Sequence, residues 1–207
     1  MIRSEVVLGV AFGTVAEGDG RSSVAARRSI STELGIDEAW ATITQVHGSD
    51  VIIARGSGAL GEADAVVTFR DGPPVAIATA DCVPVALVGQ ATIALAHAGW
   101  RGVASGVVVH AVETMRSLGD PPDRAVIGPH IGPCCYEVGS EVIEAVGGHA
   151  ATTTWGTTSV DLGAAITDQL AGIGIERVAA CTMHDDRFAS FRRNGTAQRQ
   201  VTVAWVP

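Results

Sequence analysis

Three side chains with metal-binding or nucleophilic chemistry stand out against the aliphatic segments of this 207-residue chain. Cys82 follows the run "VAIATAD", His97 lies at the end of "TIALAHA", and His47 follows "ATITQV". If these strand ends gather on one edge of a sheet, two imidazoles and one thiolate converge, a ligand set that suits catalytic zinc with an open fourth position. The spacing matches no compact metal-binding pattern, so an ordinary buried thiol and two histidines bonded to backbone carbonyls are the alternative.

The composition indicates one ordered domain over residues 1–207 and disfavours nucleic acid as a partner. Hydrophobic residues make up 47% of the chain and aromatic residues 4%, so we expect a core of small aliphatic side chains. The net charge of -8 opposes binding to a phosphate backbone, which needs clustered Lys and Arg. A small anionic substrate is compatible with this charge because a few local arginines suffice, and Arg101, Arg192 and Arg193 are the candidates.

The N-terminal residues and the cysteines predict a reduced, cytoplasmic protein without a membrane span. Arg3 precedes an apolar run, but Glu5 interrupts the basic region of a signal peptide, and we predict a first strand over residues 4–12 instead. No run approaches the roughly 20 apolar residues of a membrane span. The four cysteines, at positions 82, 134, 135 and 181, form no spaced disulfide framework, which indicates free thiols. No signal for an oligomeric state is present.

Strand signals outnumber helix signals, which predicts a mixed α+β fold rather than a simple alternation of strands and helices. Helices are predicted from about residue 19 or 22 to 35, over about 103–117, over 140–146 and within 159–174. Strands are predicted at 63–69, 75–81, 84–88, 92–98 and 176–182. Two hairpins are expected, one over 41–55 turning at Gly48–Ser49 and one over 187–206 turning at Asn194–Gly195. Residues 56–62 are interpreted as a loop.

Several motifs, taken together and in order, resemble one known family. They are "QVHGSDV", "ADAVVT", "TADCVPV", "AHAGWRG", "IGPCCYEVG" and "FASFRR". From about residue 40 onward the chain is similar to the multicopper polyphenol oxidase, or laccase-like, family, also called the peptidoglycan editing factor or YfiH-like family. The resemblance implies a four-layer α/β/β/α fold and a zinc ion held by His47, Cys82 and His97. It also implies phosphorolysis of adenosine, inosine, guanosine and methylthioadenosine, and deamination of adenosine.

Five further residues are candidates for this chemistry. Asp81 is the titratable group nearest to Cys82 and could move protons during deamination, with capping of a backbone amide as its competing role. Arg101 can make a bidentate contact to phosphate or to ribose hydroxyls. Arg192 and Arg193 could do the same, with a position on the hairpin surface as the alternative. Gln45 points to the same side of its strand as residue 47 and is expected to line the pocket.

The adjacent pair Cys134 and Cys135 is not predicted to bind a second metal. Neighbouring residues of a strand point in opposite directions, so we interpret this segment as a structural loop with one inward thiol. His130 and His184 lie near motifs, but nothing in their spacing requires a role. Residues 11–23, "AFGTVAEGDGRSS", depart from the family segment resembling "TTRxGGVS", without an obvious matching arginine, which puts substrate contacts there in doubt.

Three other functions fit parts of the pattern. Cys82 could act as a nucleophile with His97 as its base, which defines a metal-independent cysteine hydrolase. Copper-dependent oxidation of phenols is a second alternative, but six histidines are too few for the usual multicopper arrangement, although two His and one Cys could hold a single copper ion. A partner protein without catalysis is the third, and the retained ligands and Arg101 argue against it.

Overall fold

The computed structural model describes residues 1–4 and 9–207 and contains fourteen strands and six helices within them. The strands are β1 (Ile2–Arg3), β2 (Val10–Phe12), β3 (Ala41–Thr44), β4 (Val51–Ile53), β5 (Gly58–Glu62), β6 (Ala65–Phe69), β7 (Val75–Thr79), β8 (Val83–Val88), β9 (Thr92–Ala98), β10 (Arg124–Ile127), β11 (Ala150–Thr152), β12 (Thr158–Val160), β13 (Gly174–Arg177) and β14 (Gln200–Ala204). The helices are α1 (Val24–Leu34), α2 (Trp100–Ala104), α3 (Val107–Ser117), α4 (Ser140–Ala145), α5 (Leu162–Gln169) and α6 (Phe191–Asn194).

Two six-stranded mixed sheets pack face to face between helices, which confirms the predicted α+β fold and its four α/β/β/α layers. The first sheet has the order β1-β2-β14-β7-β3-β5 and the second the order β13-β10-β8-β9-β6-β4. One apolar cluster fills the space between the sheets, and a second packs α1 against the first sheet. A third packs the four helices α2, α3, α4 and α5 against the second sheet. Strand β9 is buried at every residue because both of its faces are covered, which explains its continuous run of small apolar side chains.

The hairpin predicted over residues 41–55 is wrong. Strand β3 pairs with β5 and β7 in the first sheet, whereas β4 pairs in parallel with β6 in the second. The turn at Gly48 and Ser49 therefore carries the chain from one sheet to the other. The segment predicted as a loop contains β5, because its backbone pairs with β3 although its side chains are mostly exposed.

Two other predictions, of one long helix and of a C-terminal hairpin, are wrong because a glycine with a left-handed backbone interrupts or ends a helix in each segment. The helix expected over about 103–117 is two helices, since Gly106 has a left-handed backbone (φ 79°) that interrupts the helix between α2 and α3. The C-terminal hairpin is also wrong: Asn194 ends α6, and Gly195 caps that helix with a left-handed φ of 64°. The hydroxyl of Ser190 caps its other end by accepting a hydrogen bond from the Arg193 amide.

The bounds of the other helices and strands differ from the predicted bounds by a few residues. Helix α1 stops at Gly35 as expected, and it begins after Ser23, slightly later than the predicted start at residue 19 or 22. The helix predicted within residues 159–174 is shorter, because the Asp161 side chain caps its start, and β13 begins two residues before the predicted strand and ends at Arg177. The strand predicted over 4–12 falls partly outside the described residues, and β2 forms its end. No helix in residues 1–4 and 9–207 is long and apolar enough to cross a membrane.

Candidate active site

The structure brings together His47, Cys82 and His97, the three predicted metal ligands. One donor atom of each lies within 4.8 Å of the others. The Cys82 Sγ is 3.9 Å from His47 Nε2, and the two imidazole rings meet edge to face with centroids 4.8 Å apart. Cys82 directly precedes β8 and His97 lies on the paired strand β9, while His47 arrives from the loop after β3 in the other sheet. The site therefore forms where the two sheets meet.

A buried carboxylate, Asp64, organises both imidazoles. Its Oδ1 is 2.8 Å from His97 Nδ1, and its two oxygens accept hydrogen bonds from the backbone amides of Val46, His47 and Gly48 at 2.6 to 3.1 Å. Burial raises the pKa of this carboxyl, but the hydrogen bonds from His97 and from the amides outweigh burial and hold the pKa below its usual range. Asp64 therefore fixes the His97 ring and the loop that presents His47.

Two residues of the site hold left-handed backbone conformations that side chains rarely adopt. His47 has φ 62° and Asp81 has φ 84°, each a strain of about 1 to 3 kcal/mol. Hydrogen bonds hold both in place. The His47 amide donates to Asp64, and the Asp81 carboxylate accepts from the Thr182 hydroxyl and the Arg192 amide, both at 2.7 Å.

Gly99 lies where the chain passes close to Cys82 and His47, and it leaves little room for a side chain. A Cβ at this position would lie 3.0 Å from the Cys82 Sγ and 3.1 Å from the His47 Cδ2. Its backbone conformation, φ -72° and ψ 168°, is open to any residue, so the constraint comes from space alone. The first glycine of "HAGWRG" thus lets a thiolate and an imidazole meet above the backbone.

We expect Gly99→Ala to weaken metal binding by about tenfold or more, because the new methyl group displaces two of the three ligands. Affinity is measured by competition with a chromophoric zinc chelator. Gly56→Ala is the matched control, since a Cβ there meets no atom within 4 Å and its affinity should equal that of the unmodified protein. Equal affinities for both variants would contradict the role of Gly99.

The electrostatics of the three ligands favour a thiolate. Burial raises the pKa of the Cys82 thiol, but hydrogen bonds and positive charge from His47 and His97 outweigh burial and lower that pKa to about 6. Burial lowers the pKa of His97, whereas Asp64 and the Cys82 thiolate raise it, with a net result of about 9. Near neutral pH the metal-free site therefore holds a thiolate beside an imidazolium, and metal uptake releases the imidazolium proton.

The Cys82 thiolate gives a pH-dependent signal in the metal-free protein. Because its pKa is lowered to about 6, thiolate absorbance should be present at pH 7 and disappear as the pH falls through about 6, rather than through the usual value of about 8.5. The difference spectrum between the protein and Cys82→Ala isolates this thiol from the other three. A midpoint at the usual value would contradict the imidazolium contacts.

A cavity of about 700 Å³ opens over His47, Cys82 and His97, a volume typical of small-molecule sites. It is rich in arginines and aromatic rings, although aromatic residues are scarce in this chain. The arginines are Arg21, Arg101, Arg192 and Arg199, and the aromatic residues are Trp100, Tyr136 and Phe191. The cavity can therefore hold a ligand that combines a flat ring with an anionic group.

Gln45, Asp81 and Arg101 line this cavity as predicted residues of the site. The Gln45 amide bonds to the Ala78 backbone, donating to its carbonyl at 2.8 Å and accepting from its N–H at 2.9 Å. It also accepts a hydrogen bond from Arg21 at 2.7 Å. The Arg101 guanidinium is stacked on the Trp100 ring, 4.4 Å from its centroid, and is exposed.

The two C-terminal arginines predicted for the site, Arg192 and Arg193, have different positions in the structure. Arg192 lines the cavity, stacks on the Tyr136 ring at 4.9 Å and donates to the Glu137 carbonyl at 2.7 Å. The guanidinium of Arg193 donates instead to backbone carbonyls, including those of Thr182 and Phe188, and does not line the cavity. Arg193 therefore ties α6 to the segment that precedes it.

Sequence reasoning missed Asp64, Tyr136 and two arginines. Asp64 could have been found as the charged residue between two alanines at the start of a buried strand. Arg21 lies within the N-terminal segment that lacked an obvious matching arginine, yet it reaches the cavity beside Gln45. Arg199 has no comparable signal, because it is one of several polar residues before β14.

The chain belongs to the family described as multi-copper polyphenol oxidoreductase laccase, whose model matches residues 9–207. It is 40% identical over 210 residues to purine nucleoside phosphorylase ORF3 of Streptomyces griseus, covering 92% of this chain and 85% of that protein. It is 36% identical over 179 residues to purine nucleoside phosphorylase YfiH of Escherichia coli, covering 79% and 72%. The crystal structure of Bacillus licheniformis hypothetical protein YfiH superimposes with a TM-score of 0.80 at 28% identity, covering 91% of this chain and 82% of that one.

Proposed function

We propose that the protein is a zinc-dependent enzyme that acts on purine nucleosides, by phosphorolysis of adenosine, inosine, guanosine or methylthioadenosine and by deamination of adenosine. The observation that carries this proposal is one cavity that combines two imidazoles and a thiolate with four arginines and three aromatic rings. The relatives named purine nucleoside phosphorylase support the substrate class. The free thiols support a reducing, cytoplasmic location.

The donor set fits a zinc ion. His47, Cys82 and His97 offer two nitrogen atoms and one sulfur atom within 4.8 Å of one another, and they leave a fourth position open toward the cavity. Bound there, zinc would supply hydroxide near neutral pH by lowering the pKa of water to about 7. The same set could hold one copper ion, which is the less favoured alternative because the described residues contain no further group of histidines beside it.

The remaining residues of the cavity bind and orient the substrate. We assign the base to the aromatic wall of Trp100, Tyr136 and Phe191, where a purine can stack. We assign phosphate to the arginines, chiefly Arg101 and Arg192, and Gln45 orients Arg21 toward the same space. In phosphorolysis a phosphate oxygen forms a bond to C1′ of the ribose while the C1′–N9 bond breaks, and the purine leaves as the free base after taking a proton. Arg193 is proposed to support this wall through its backbone contacts.

Asp81 is the proposed proton carrier of deamination, in which water replaces the amino group at C6 and ammonia leaves. We expect Asp81→Asn to slow deamination by about 10²- to 10⁴-fold and to leave phosphorolysis within about threefold. Inosine and adenine formation are followed by chromatography on one enzyme preparation. If both activities fall together with the melting temperature, the carboxylate serves only to hold Thr182 and the Arg192 amide.

A second function has one specific observation in its favour. The low pKa of Cys82, about 6, and the hydrogen bond from His97 to Asp64 also match a Cys-His-Asp arrangement of a cysteine hydrolase. The second imidazole, that of His47, at 3.9 Å from the same sulfur is not needed by such an enzyme and favours the metal site.

The test of the proposed function is product analysis with adenosine in the presence and absence of phosphate. Phosphorolysis requires phosphate and gives adenine, whereas deamination gives inosine in either buffer. Arg101→Gln should raise the KM for phosphate more than the KM for adenosine, because it removes a bidentate donor. Absence of both products at every nucleoside tested would refute the proposal.

A further inference from the structure

A second group of metal-binding side chains lies behind the wall of the cavity, where the loop after β10 meets the segment after β13. An isolated parallel bridge joins His130 to Cys181, and the Thr182 amide donates to the His130 carbonyl at 3.0 Å. We infer that three thiols and one imidazole at this junction form a structural zinc site. Its ligands are Cys134, Cys135, Cys181 and His184.

The distances are close to those of tetrahedral zinc. Zn–S bonds of about 2.3 Å and Zn–N bonds of about 2.0 to 2.1 Å place the ligand atoms of such a site about 3.5 to 3.8 Å apart. The Cys134 and Cys135 sulfur atoms are 3.6 Å apart, within this range, and the Cys135 sulfur is 3.2 Å from His184 Nε2, a few tenths of an ångström shorter. All four donor atoms lie within 4.8 Å of one another.

This geometry corrects the expectation that the adjacent cysteines point in opposite directions. They lie in a turn rather than a strand, with the Cys135 and Tyr136 amides both donating to the Gly132 carbonyl at 3.0 Å. The turn directs both sulfur atoms to the same side. Sequence spacing does not reveal this arrangement because its other two ligands lie about 50 positions away.

The backbone around the other two ligands is also ordered as in a zinc-binding turn. His184 follows Cys181 by three positions, and its amide donates to the Cys181 carbonyl at 3.1 Å. The Gly132 amide donates to the Cys181 sulfur at 3.3 Å, a contact that orients the sulfur as a metal ligand. Thiolates and an imidazole in a closed set of four favour zinc in a structural role, with no open position for a substrate.

The site is placed to hold the wall of the cavity. Cys135 precedes Tyr136, whose ring lies under Arg192, and Thr182 follows Cys181 and donates its hydroxyl to Asp81. A metal at the junction therefore fixes two elements that face the substrate. The alternative use of these thiols is a redox-active disulfide, which the same experiment detects.

The test counts metal in the unmodified protein and in Cys82→Ala, which lacks a ligand of the other site. We expect two zinc ions per chain in the first and one in the second, with three sulfur atoms and one nitrogen around the remaining ion by X-ray absorption. Adding Cys181→Ser to Cys82→Ala should remove that ion and lower the melting temperature, whereas adding His110→Ala, a histidine on α3, should not.

Two results would overturn the inference. One is a folded Cys82→Ala protein that binds no zinc although its three remaining thiols are reduced. The other is a disulfide among these cysteines, identified by mass spectrometry of protein isolated without a reductant. Neither result depends on whether the enzyme acts on purine nucleosides, because metal content and thiol state are read without a substrate.

Discussion

Cys82→Ala is expected to lose one metal ion per chain and to reduce adenosine turnover by about three orders of magnitude or more. In the proposed zinc site the thiolate is the single charged donor beside two imidazoles, and its removal would leave two neutral donors, too few to retain zinc. A catalytic metal contributes several kcal/mol to the transition state, and each 1.4 kcal/mol is about tenfold in rate. Metal content and initial rates are measured on the same purified sample.

His110→Ala provides the control for this experiment. The side chain of His110 lies on α3 and is near the Ser49 carbonyl, outside the cavity, so its removal should leave both metal content and rate unchanged. His47→Ala should behave like Cys82→Ala, because it removes a ligand of the same ion. Full activity of Cys82→Ala would show that this thiolate has no part in the reaction.

Asp64→Asn is expected to have the second largest effect, through positioning rather than contact with the substrate. The Asn side chain keeps the shape of the carboxylate but loses its negative charge. That charge holds the His97 imidazole and strengthens the hydrogen bonds that the carboxylate accepts from three backbone N–H groups. Metal affinity should fall about 10- to 100-fold, and the free energy of unfolding should fall by about 3 to 5 kcal/mol. Excess zinc should restore part of kcat, which a purely structural defect would not allow.

Asp120→Asn is the matched control. Asp120 also accepts backbone hydrogen bonds from three consecutive amides, those of Gln90, Ala91 and Thr92, but it contacts no histidine of the site. Its replacement should cost about 1 to 3 kcal/mol of stability and leave zinc affinity unchanged. Equal loss of affinity in the two variants would assign the effect of Asp64 to general stability.

The sequence was sufficient to predict the fold class because the central aliphatic strands of both sheets are strongly patterned. Strand β7 of the first sheet and strands β8 and β9 of the second follow one another with short turns and almost entirely buried residues, and the structure contains them as expected. The pairing of β3 and β4 was not predictable, since two β-branched runs around Gly48 have the same local pattern whether they pair with each other or enter different sheets. The choice between these two pairings depends on contacts between residues that are distant in the sequence.

The convergence of His47, Cys82 and His97 could be predicted because each interrupts an apolar run with a different chemistry. The residues that position them could not, because an aspartate before a strand has the same sequence appearance whether it is solvated or buried beneath two imidazoles. The same holds for Arg21 and for the three-cysteine group, whose members meet near the isolated bridge between His130 and Cys181, beyond the ends of β10 and β13. Tertiary contacts create these features, so the local hydrophobic periodicity of the sequence does not predict them.

The most direct test of the central claim is removal and return of metal in the unmodified protein while adenosine is followed by chromatography. We predict that chelation abolishes formation of both adenine and inosine, and that zinc restores adenine in phosphate buffer and inosine in either buffer. Turnover that survives complete loss of metal but stops on alkylation of Cys82 would contradict the account and establish the cysteine nucleophile. Restoration by copper alone, with oxidation of phenols, would contradict it equally and assign the site to copper chemistry.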